Sequence, residues 1–236
     1  MCHFWIQAAC TSAPEKPVFR SRLFLITPTV FDVETFAPQL REALAGGDVA
    51  SLLIAFDGAD TEKMQTVAEV LTPIAQDADV AVLIRNDTQA AGRSRADGVH
   101  VDTDVDDLLL ALESMRPNRI VGAGGIKDRH TAMMIGSTDA DYIFFGMLDL
   151  EERDEAHPKN LDFGEWWAEV FEVPCVVMAG RDPASVHDIA MTRADFVALR
   201  AGVWEHPEGP RKAVADANAA LDAAAADLKA LEDNAG

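Results

Sequence analysis

The chain has 236 residues, 49% of them hydrophobic, which is enough apolar material for one large α/β domain. It carries 40 acidic and 20 basic residues, and the resulting net charge of −20 argues against nucleic acid and anionic membranes as partners because both are polyanions. Cys2, Cys10 and Cys175 have no metal-ligand or disulfide-framework spacing, and no apolar run approaches the roughly 18 residues of a membrane span. The sequence therefore predicts a soluble, cytoplasmic protein.

Short β-rich runs alternate with helical patterns along the whole chain. The predicted strands cover residues 22–28, 50–56, 80–86, 98–102, 119–124, 142–146, 174–180 and 196–202. The predicted helices cover residues 33–47, 61–78, a short segment after residue 86, 105–115, 127–136, 163–171, 183–192 and 211–233. The strand runs are nearly continuously apolar, which is typical of parallel strands buried on both faces. Eight such units predict a single-domain α/β fold, a (β/α)8 TIM barrel, with an open doubly wound sheet as the alternative.

The two ends of the chain lie outside this regular pattern. Residues 1–20 are predicted to form an N-terminal extension, and residues 21–236 the barrel domain, which ends in a long Ala-rich helix. That helix is longer than a barrel needs. It therefore offers a contact for a homo-oligomer, although its Ala and Asp content is equally typical of a solvated helix.

A (β/α)8 barrel places its chemistry in the loops after the carboxyl ends of its strands, and it often binds phosphate after strands seven and eight. Asn86 and Asp87 end the third predicted strand, and Asp102 and Asp104 end the fourth. Carboxylate oxygens suit Mg²⁺, and such an ion would bridge an anionic ligand to this acidic protein. We therefore expect Asp87 and Asp104 to bind Mg²⁺. The alternative is that both aspartates only cap the helices that follow.

The expected phosphate contacts come from glycines and from the few basic residues at the same face. Glycine lets the backbone approach a phosphate closely, and arginine binds it with charge-assisted hydrogen bonds. The candidates are Gly124, Gly125, Gly180, Arg181, Arg200 and Gly202. The alternatives are tight turns for the glycines and pairing with the acidic surface for the arginines.

The segment after the sixth strand is long, and long loops in compact domains often bind ligands. Lys159, near the end of this segment, is the cation there that is best placed to reach a phosphate. His100 lies within the fourth strand between two valines, and we expect a structural, hydrogen-bonded histidine. His130 lies on the fifth helix, one turn beyond its strand.

Four stretches resemble the thiamine-phosphate synthase family, which includes the TenI-type thiazole tautomerases. "LFLITP" resembles the first strand of the family, and "ALAGGDVASLLIAF" its second unit. "VLIRND…RADGVHVDTD" resembles the pattern I-N-D-R followed by G-A-D-G-V-H-L-G-Q-D-D, and "DADYIFFG" resembles the sixth strand. The resemblance covers roughly residues 22–205, almost the whole predicted barrel.

The resemblance implies a transferase that couples a pyrimidine diphosphate to a thiazole phosphate. In the family, Mg²⁺ and cationic residues assist the departure of pyrophosphate, and the thiazole nitrogen captures the pyrimidine carbocation. Asn86 and Asp87 match the Asn-Asp pair of the family, and Asp104 matches its first acidic metal position. Lys159 matches the loop lysine if a gap is allowed. The resemblance thus assigns catalysis to Asn86, Asp87 and Lys159, and a small phosphorylated heterocycle as the ligand.

Several positions depart from the family pattern and remove polar groups. The Gln and Arg of the second strand, the Arg after Asn-Asp, the second acidic residue and the histidine after the fifth strand correspond here to Leu53, Ala55, Thr88, Val105 and Ile126. The second glycine after strand seven is Arg181. The sequence therefore leaves catalysis open. The alternatives are a non-catalytic or repurposed barrel that binds a phosphorylated ligand, and a tautomerase in which His130 replaces the missing histidine.

Overall fold

The structure, a computed structural model, describes residues 19–56 and 60–235. Eight parallel strands form a closed barrel in sequence order, and β1 pairs with β8 to complete it. The strands are β1 (Arg22–Ile26), β2 (Ser51–Ile54), β3 (Ala81–Arg85), β4 (Gly98–Val101), β5 (Ile120–Ala123), β6 (Tyr142–Phe145), β7 (Cys175–Met178) and β8 (Phe196–Leu199). The predicted (β/α)8 barrel is therefore confirmed, and the open-sheet alternative is wrong.

Helices follow the strands and surround the barrel. They are α1 (Val33–Leu44), α2 (Thr61–Gln76), α3 (Thr88–Ser94), α4 (Val105–Met115), α5 (Arg129–Gly136), α6 (Pro158–Val170), α7 (Ser185–Met191), α8 (Ala201–Trp204) and α9 (Pro210–Ala235). Most of them match the predicted helices to within three residues at each end, and two differ more. Helix α6 begins five residues earlier than predicted, so Lys159 lies in its first turn and not in the loop. The short α8 was predicted as the end of a strand.

Alternate residues of each strand face the barrel interior or the surrounding helices, as the strand period of two requires. The interior is filled by an apolar cluster that includes Phe24, Leu53, Leu83, Phe144 and Ala198. The intervening residues, such as Leu52 and Ile84, belong to a larger cluster between the strands and the helices. This alternation determines which residues at the strand ends reach the mouth of the barrel.

The long C-terminal helix α9 closes the outer ring between α7 and α1. It buries Val214, Ala217, Leu221 and Leu228 against the barrel, so its apolar face is used within the chain. Arg20 donates from Nε to Asp222 of this helix over 2.6 Å. Of the predicted extension, residues 1–18 lie outside the described residues. None of the described helices is both long and apolar enough to cross a membrane.

Candidate functional site at the mouth of the barrel

The carboxyl ends of the strands carry charged side chains and glycines into the mouth. Arg85 follows the interior residue Leu83 at a spacing of two, and Arg200 follows Ala198 in the same way. Asp102 stands two residues after His100, whose ring packs on the interior Phe144. The alternation therefore places Arg85, Asp102 and Arg200 at the top of the barrel interior. Asp102 and Arg85 were not predicted as site residues.

Arg85 and Asp102 form a buried ion pair across the β3–β4 junction. Arg85 Nε donates to Asp102 Oδ2 over 2.9 Å, and the two side chains are only 10% and 8% exposed. Arg85 Nη2 also donates to Asp149 Oδ1, in the segment after β6, over 2.7 Å. Burial by itself would lower the pKa of Arg85, but the hydrogen bond with Asp149 and the charges of both carboxylates raise it above its ordinary value. This guanidinium is a permanent cation at the mouth.

Asn86 fixes the position of Asp102. Its Nδ2 donates to Asp102 Oδ1 over 2.6 Å, and its Oδ1 accepts from Asp102 N over 2.9 Å. The backbone of Asn86 is left-handed, with φ of 54°, a conformation that asparagine tolerates better than most residues. The predicted site residue Asn86 thus lies at the mouth, where it holds a carboxylate in place.

His100 and Tyr142 form a polar pair below this ion pair, inside the barrel. His100 Nδ1 lies 2.8 Å from the Tyr142 hydroxyl, and the two rings are stacked. Burial, and to a lesser degree Arg85, lowers the pKa of His100 to about 4 against the opposing charge of Asp102. The imidazole is therefore neutral near pH 7, and the prediction of a hydrogen-bonded structural histidine is confirmed.

Asp87 and Asp104 lie at the ends of the neighbouring strands β3 and β4, and each caps a helix. Asp87 Oδ1 accepts from Ala90 N over 2.8 Å, and Asp104 Oδ1 accepts from Asp107 N over 2.9 Å. In both carboxylates the cap engages Oδ1, and hard carboxylate oxygens suit Mg²⁺ when substrate phosphates and water complete its shell. Within the described ranges, no group of three or more His, Cys, Asp or Glu residues could hold a metal ion. The two aspartates therefore form no all-protein metal site among the described residues, and Mg²⁺ binding by Asp87 and Asp104 stays a prediction.

The glycines after β5 have packing reasons of their own. Gly125 has a φ of 68°, and a Cβ there would lie 2.4 Å from the carbonyl oxygen of Asp102. At Gly124 a Cβ would lie 2.5 Å from His100 Nε2. Both positions therefore require glycine whether or not a phosphate binds, and their predicted phosphate contacts stay a prediction.

Arg200 is held by the segment after β6, residues 147–155, which we call the mouth loop. Arg200 Nε donates to Glu152 Oε1 over 2.5 Å, and its two terminal nitrogens donate to the carbonyls of Leu148 and Leu150. The side chains of Arg200 and Glu152 are 13% and 7% exposed. The predicted alternative of an exposed arginine that pairs with the acidic surface is wrong for Arg200, because this ion pair is buried.

The mouth loop also covers the backbone after β7. Arg181 N donates to the carbonyl of Arg153 over 2.8 Å, and Asp182 N donates to that of Asp154 over 3.0 Å. A Cβ at Gly180 would lie 2.2 Å from the Asp154 oxygen. The side chain of Arg181 pairs with the exposed Glu205, as the alternative for this residue predicted.

The remaining predicted residues lie outside the two ion pairs at the mouth. Gly202 is buried in α8, beside the carbonyl of Arg181. Lys159 Nζ donates to the carbonyl of Lys127 over 2.5 Å and lies above the Phe163 ring. Ile126 is buried in the outer core, and His130 is exposed on α5.

Two cavities border the mouth loop. A cavity of about 760 Å³ lies on the β6–β7 side and is lined by Phe145, Met178 and Lys159 among others. A second one, of about 640 Å³, lies on the β8–β1 side and is lined by Arg200 and Trp204 among others. Leu150, Glu151 and Glu152 of the loop line both cavities, so the loop is the wall between them.

A closed parallel barrel with buried ion pairs at its carboxyl-terminal mouth defines a (β/α)8 barrel protein, and that face is the candidate site. The chain belongs to the thiamine monophosphate synthase family, whose model matches residues 23–203.

Named relatives support this membership. The chain is 39% identical to thiamine-phosphate synthase from Rhodospirillum centenum over 201 residues, which cover 84% of this chain and 96% of the relative. It is 35% identical to thiamine-phosphate synthase from Hyphomonas neptunium over 216 residues, 89% and 98% of the two chains. Thiamine phosphate pyrophosphorylase from Pyrococcus furiosus has the same fold, with a TM-score of 0.70 at 23% identity over 86% of this chain and 96% of that one. The function is therefore thiamine-phosphate synthase-like.

Proposed function

We propose that the protein couples a pyrimidine diphosphate to a thiazole phosphate at the mouth of the barrel, and that Mg²⁺ bound by Asp87 and Asp104 takes part. The observation that carries the proposal is the position of Arg85. The family pattern has its arginine on the second strand, where this chain has Ala55. The β2–β3 register pairs Ile54 with Ile84, so Ala55 and Arg85 are the next neighbours along the two strands. The cation is therefore retained one strand over.

The residues of the chain divide the work as follows. Arg85 binds the diphosphate, with its guanidinium held in position by Asp102, and Asn86 holds Asp102. Asp87 and Asp104 would hold Mg²⁺, which would supply positive charge to the leaving pyrophosphate. Arg200, Arg181 and the backbone N–H groups after β7 and β8 bind the phosphate of the thiazole. Catalysis then consists mostly of positioning and electrostatic stabilisation.

A second candidate is a repurposed barrel that binds a phosphorylated ligand without coupling. Leu53 and Ala55, which replace the polar residues of the second strand, are both fully buried in the barrel interior. The chain therefore offers a ligand no hydrogen-bonding side chain at these two positions, which favours a ligand other than the pyrimidine diphosphate. The tautomerase alternative has less support, because the histidine position is the buried Ile126 and His130 is exposed on α5.

The test compares Asp87→Asn with Asp32→Asn. Asparagine caps a helix about as well as aspartate, so the Asn variant keeps the cap and removes the charge. We expect Asp87→Asn to unfold at the urea concentration of the wild type but to lose Mg²⁺-dependent diphosphate binding at least about tenfold by calorimetry. Asp32→Asn, at the cap of α1, is the matched control and should bind like the wild type.

The product assay separates the two candidates. Formation of thiamine phosphate from the two substrates, lost in Asp87→Asn and kept in Asp32→Asn, is the expected result. Binding of either phosphorylated compound without product would favour the repurposed barrel. If the folded protein binds neither compound, the coupling proposal is wrong and a barrel repurposed for another ligand is left.

A further inference from the structure

The mouth loop, residues 147–155, crosses the opening of the barrel and places its own carboxylates on the two arginines there. Asp149 accepts from Arg85 at the end of β3, and Glu152 accepts from Arg200 at the end of β8. Leu148, which precedes Asp149 in the loop, is buried in the apolar cluster that fills the barrel interior. The loop thus reaches both sides of the mouth and is anchored in the core.

Glu152 meets the donors that a phosphate would meet on the β7–β8 side. Its carboxylate accepts from Arg200 Nε, and Ala201 N lies 3.4 and 3.2 Å from its two oxygens. The N–H groups of Arg181 and Asp182 are taken by carbonyls of the same loop. A buried carboxylate that accepts hydrogen bonds from a guanidinium and from a backbone N–H has the same partners that two oxygens of a phosphate would have.

We propose that the mouth loop is an internal competitor for phosphate, in which Glu152 occupies Arg200 Nε and Ala201 N until a phosphorylated ligand displaces it. Charge determines which of the two anions binds Arg200 more tightly. A phosphate monoester brings more negative charge and more acceptor oxygens than one carboxylate, so it can replace Glu152 on Arg200. Glu152, Arg153 and Asp154 are consecutive and all three accept hydrogen bonds from the segments after β7 and β8. When Glu152 leaves the pocket, Arg153 and Asp154 therefore leave with it. Glu152 therefore sets the affinity of the mouth for phosphate.

Inorganic phosphate is the probe, so the test does not depend on coupling. The proposal rests on the proposed function only in taking a phosphate monoester as the ligand, and failure to form thiamine phosphate would leave it intact. Glu152→Gln removes the competing charge and keeps the size of the side chain. We expect phosphate to bind this variant about tenfold more tightly than the wild type, because one charge-assisted contact no longer competes. Glu172→Gln is the control, because Glu172 is exposed just before β7, at the end of the barrel opposite the mouth, and should bind phosphate like the wild type.

A second measurement uses the wild-type protein and does not depend on the folding of a variant. The carbonyl of Arg153 accepts from Arg181 N, so trypsin reaches the bond after Arg153 only when the loop lifts. Phosphate should therefore accelerate tryptic cleavage after Arg153, compared with chloride at the same ionic strength. Cleavage that phosphate slows or leaves unchanged overturns the proposal, and so does a Glu152→Gln variant that binds phosphate no more tightly than Glu172→Gln.

Discussion

Arg85 and Asp102 form a buried ion pair, with Nε and Oδ2 2.9 Å apart, at the junction of two barrel strands. Both side chains are out of bulk water, so each charge depends on the other for compensation. The pair also connects to Asn86 and Asp149, which satisfy further atoms of the same groups. The contribution of the pair to stability is therefore that of a small hydrogen-bonded network, and removal of one member leaves the buried charges of the others without compensation.

Arg85→Met should lower the free energy of unfolding by about 3–5 kcal/mol, because it leaves the carboxylate of Asp102 buried without its cation. Urea denaturation measures this change. Lys212→Gln is the control, because Lys212 pairs with Asp216 on the exposed face of α9, where water screens the charges and the pair contributes little to stability. Equal effects of the two substitutions would show that the Arg85–Asp102 pair is solvated.

Asn86 combines a left-handed backbone with two hydrogen bonds to Asp102, and two substitutions separate these contributions. Both Asn86→Gly and Asn86→Ala remove the side-chain hydrogen bonds, but only glycine adopts φ of 54° without strain. We expect both variants to be destabilised and the alanine variant to be less stable than the glycine variant by about 1 kcal/mol. Thermal unfolding of the two proteins gives the difference, and an alanine variant as stable as the glycine variant contradicts it.

The sequence predicted the barrel well, because each strand is a short apolar run and each helix has its own pattern. The starts of α6 and α8 were missed for identifiable reasons. The helical pattern before Phe163 is polar, although Pro158 in the first turn with His157 as the cap is a typical helix start. The four residues of α8 continue the apolar run of β8 and carry no signal of their own.

The site was predicted in part. Asn86, Asp87 and Arg200 were expected at the mouth of the barrel because they lie at or near the carboxyl ends of the third and eighth predicted strands. Arg85 could have been found by counting, because its spacing of two from Leu83 turns it into the barrel. Glu152 could not, because its loop reads as a run of solvated charges. Only the folded chain brings it to Arg200 on β8.

Gly125→Ala tests the close approach of β5 to Asp102. The new Cβ meets two obstacles, a φ of 68° and the Asp102 oxygen at 2.4 Å. Gly209→Ala is the matched control, because its φ is 86° and no atom lies within 4 Å of the Cβ position. We expect Gly209→Ala to cost about 1 kcal/mol and Gly125→Ala about 1–3 kcal/mol more in urea denaturation. Equal losses would show that the backbone at Asp102 moves away without cost.

His100 makes stability depend on pH in a defined window. Its pKa falls from an ordinary 6.5 to about 4 in the folded chain because of burial, so the unfolded chain binds more protons between these values. The neutral His100 ring therefore contributes to the free energy of unfolding in full above pH 6.5. This contribution, on the order of 3 kcal/mol in total, is lost as the pH falls from 6.5 towards 4. Above pH 6.5 the imidazole is neutral in both states and contributes no slope.

The measurement is urea denaturation of wild type and His100→Gln at several pH values from 4 to 8. The variant is expected to be less stable than the wild type above pH 6.5, because the Tyr142 hydroxyl loses its partner. The difference between the two proteins should nevertheless shrink below pH 6.5, because only the wild type must bury a group that protonates. His130→Gln, at an exposed histidine, should keep the wild-type slope. A difference that stays constant from pH 8 to pH 4 would mean that His100 keeps its ordinary pKa in the folded chain.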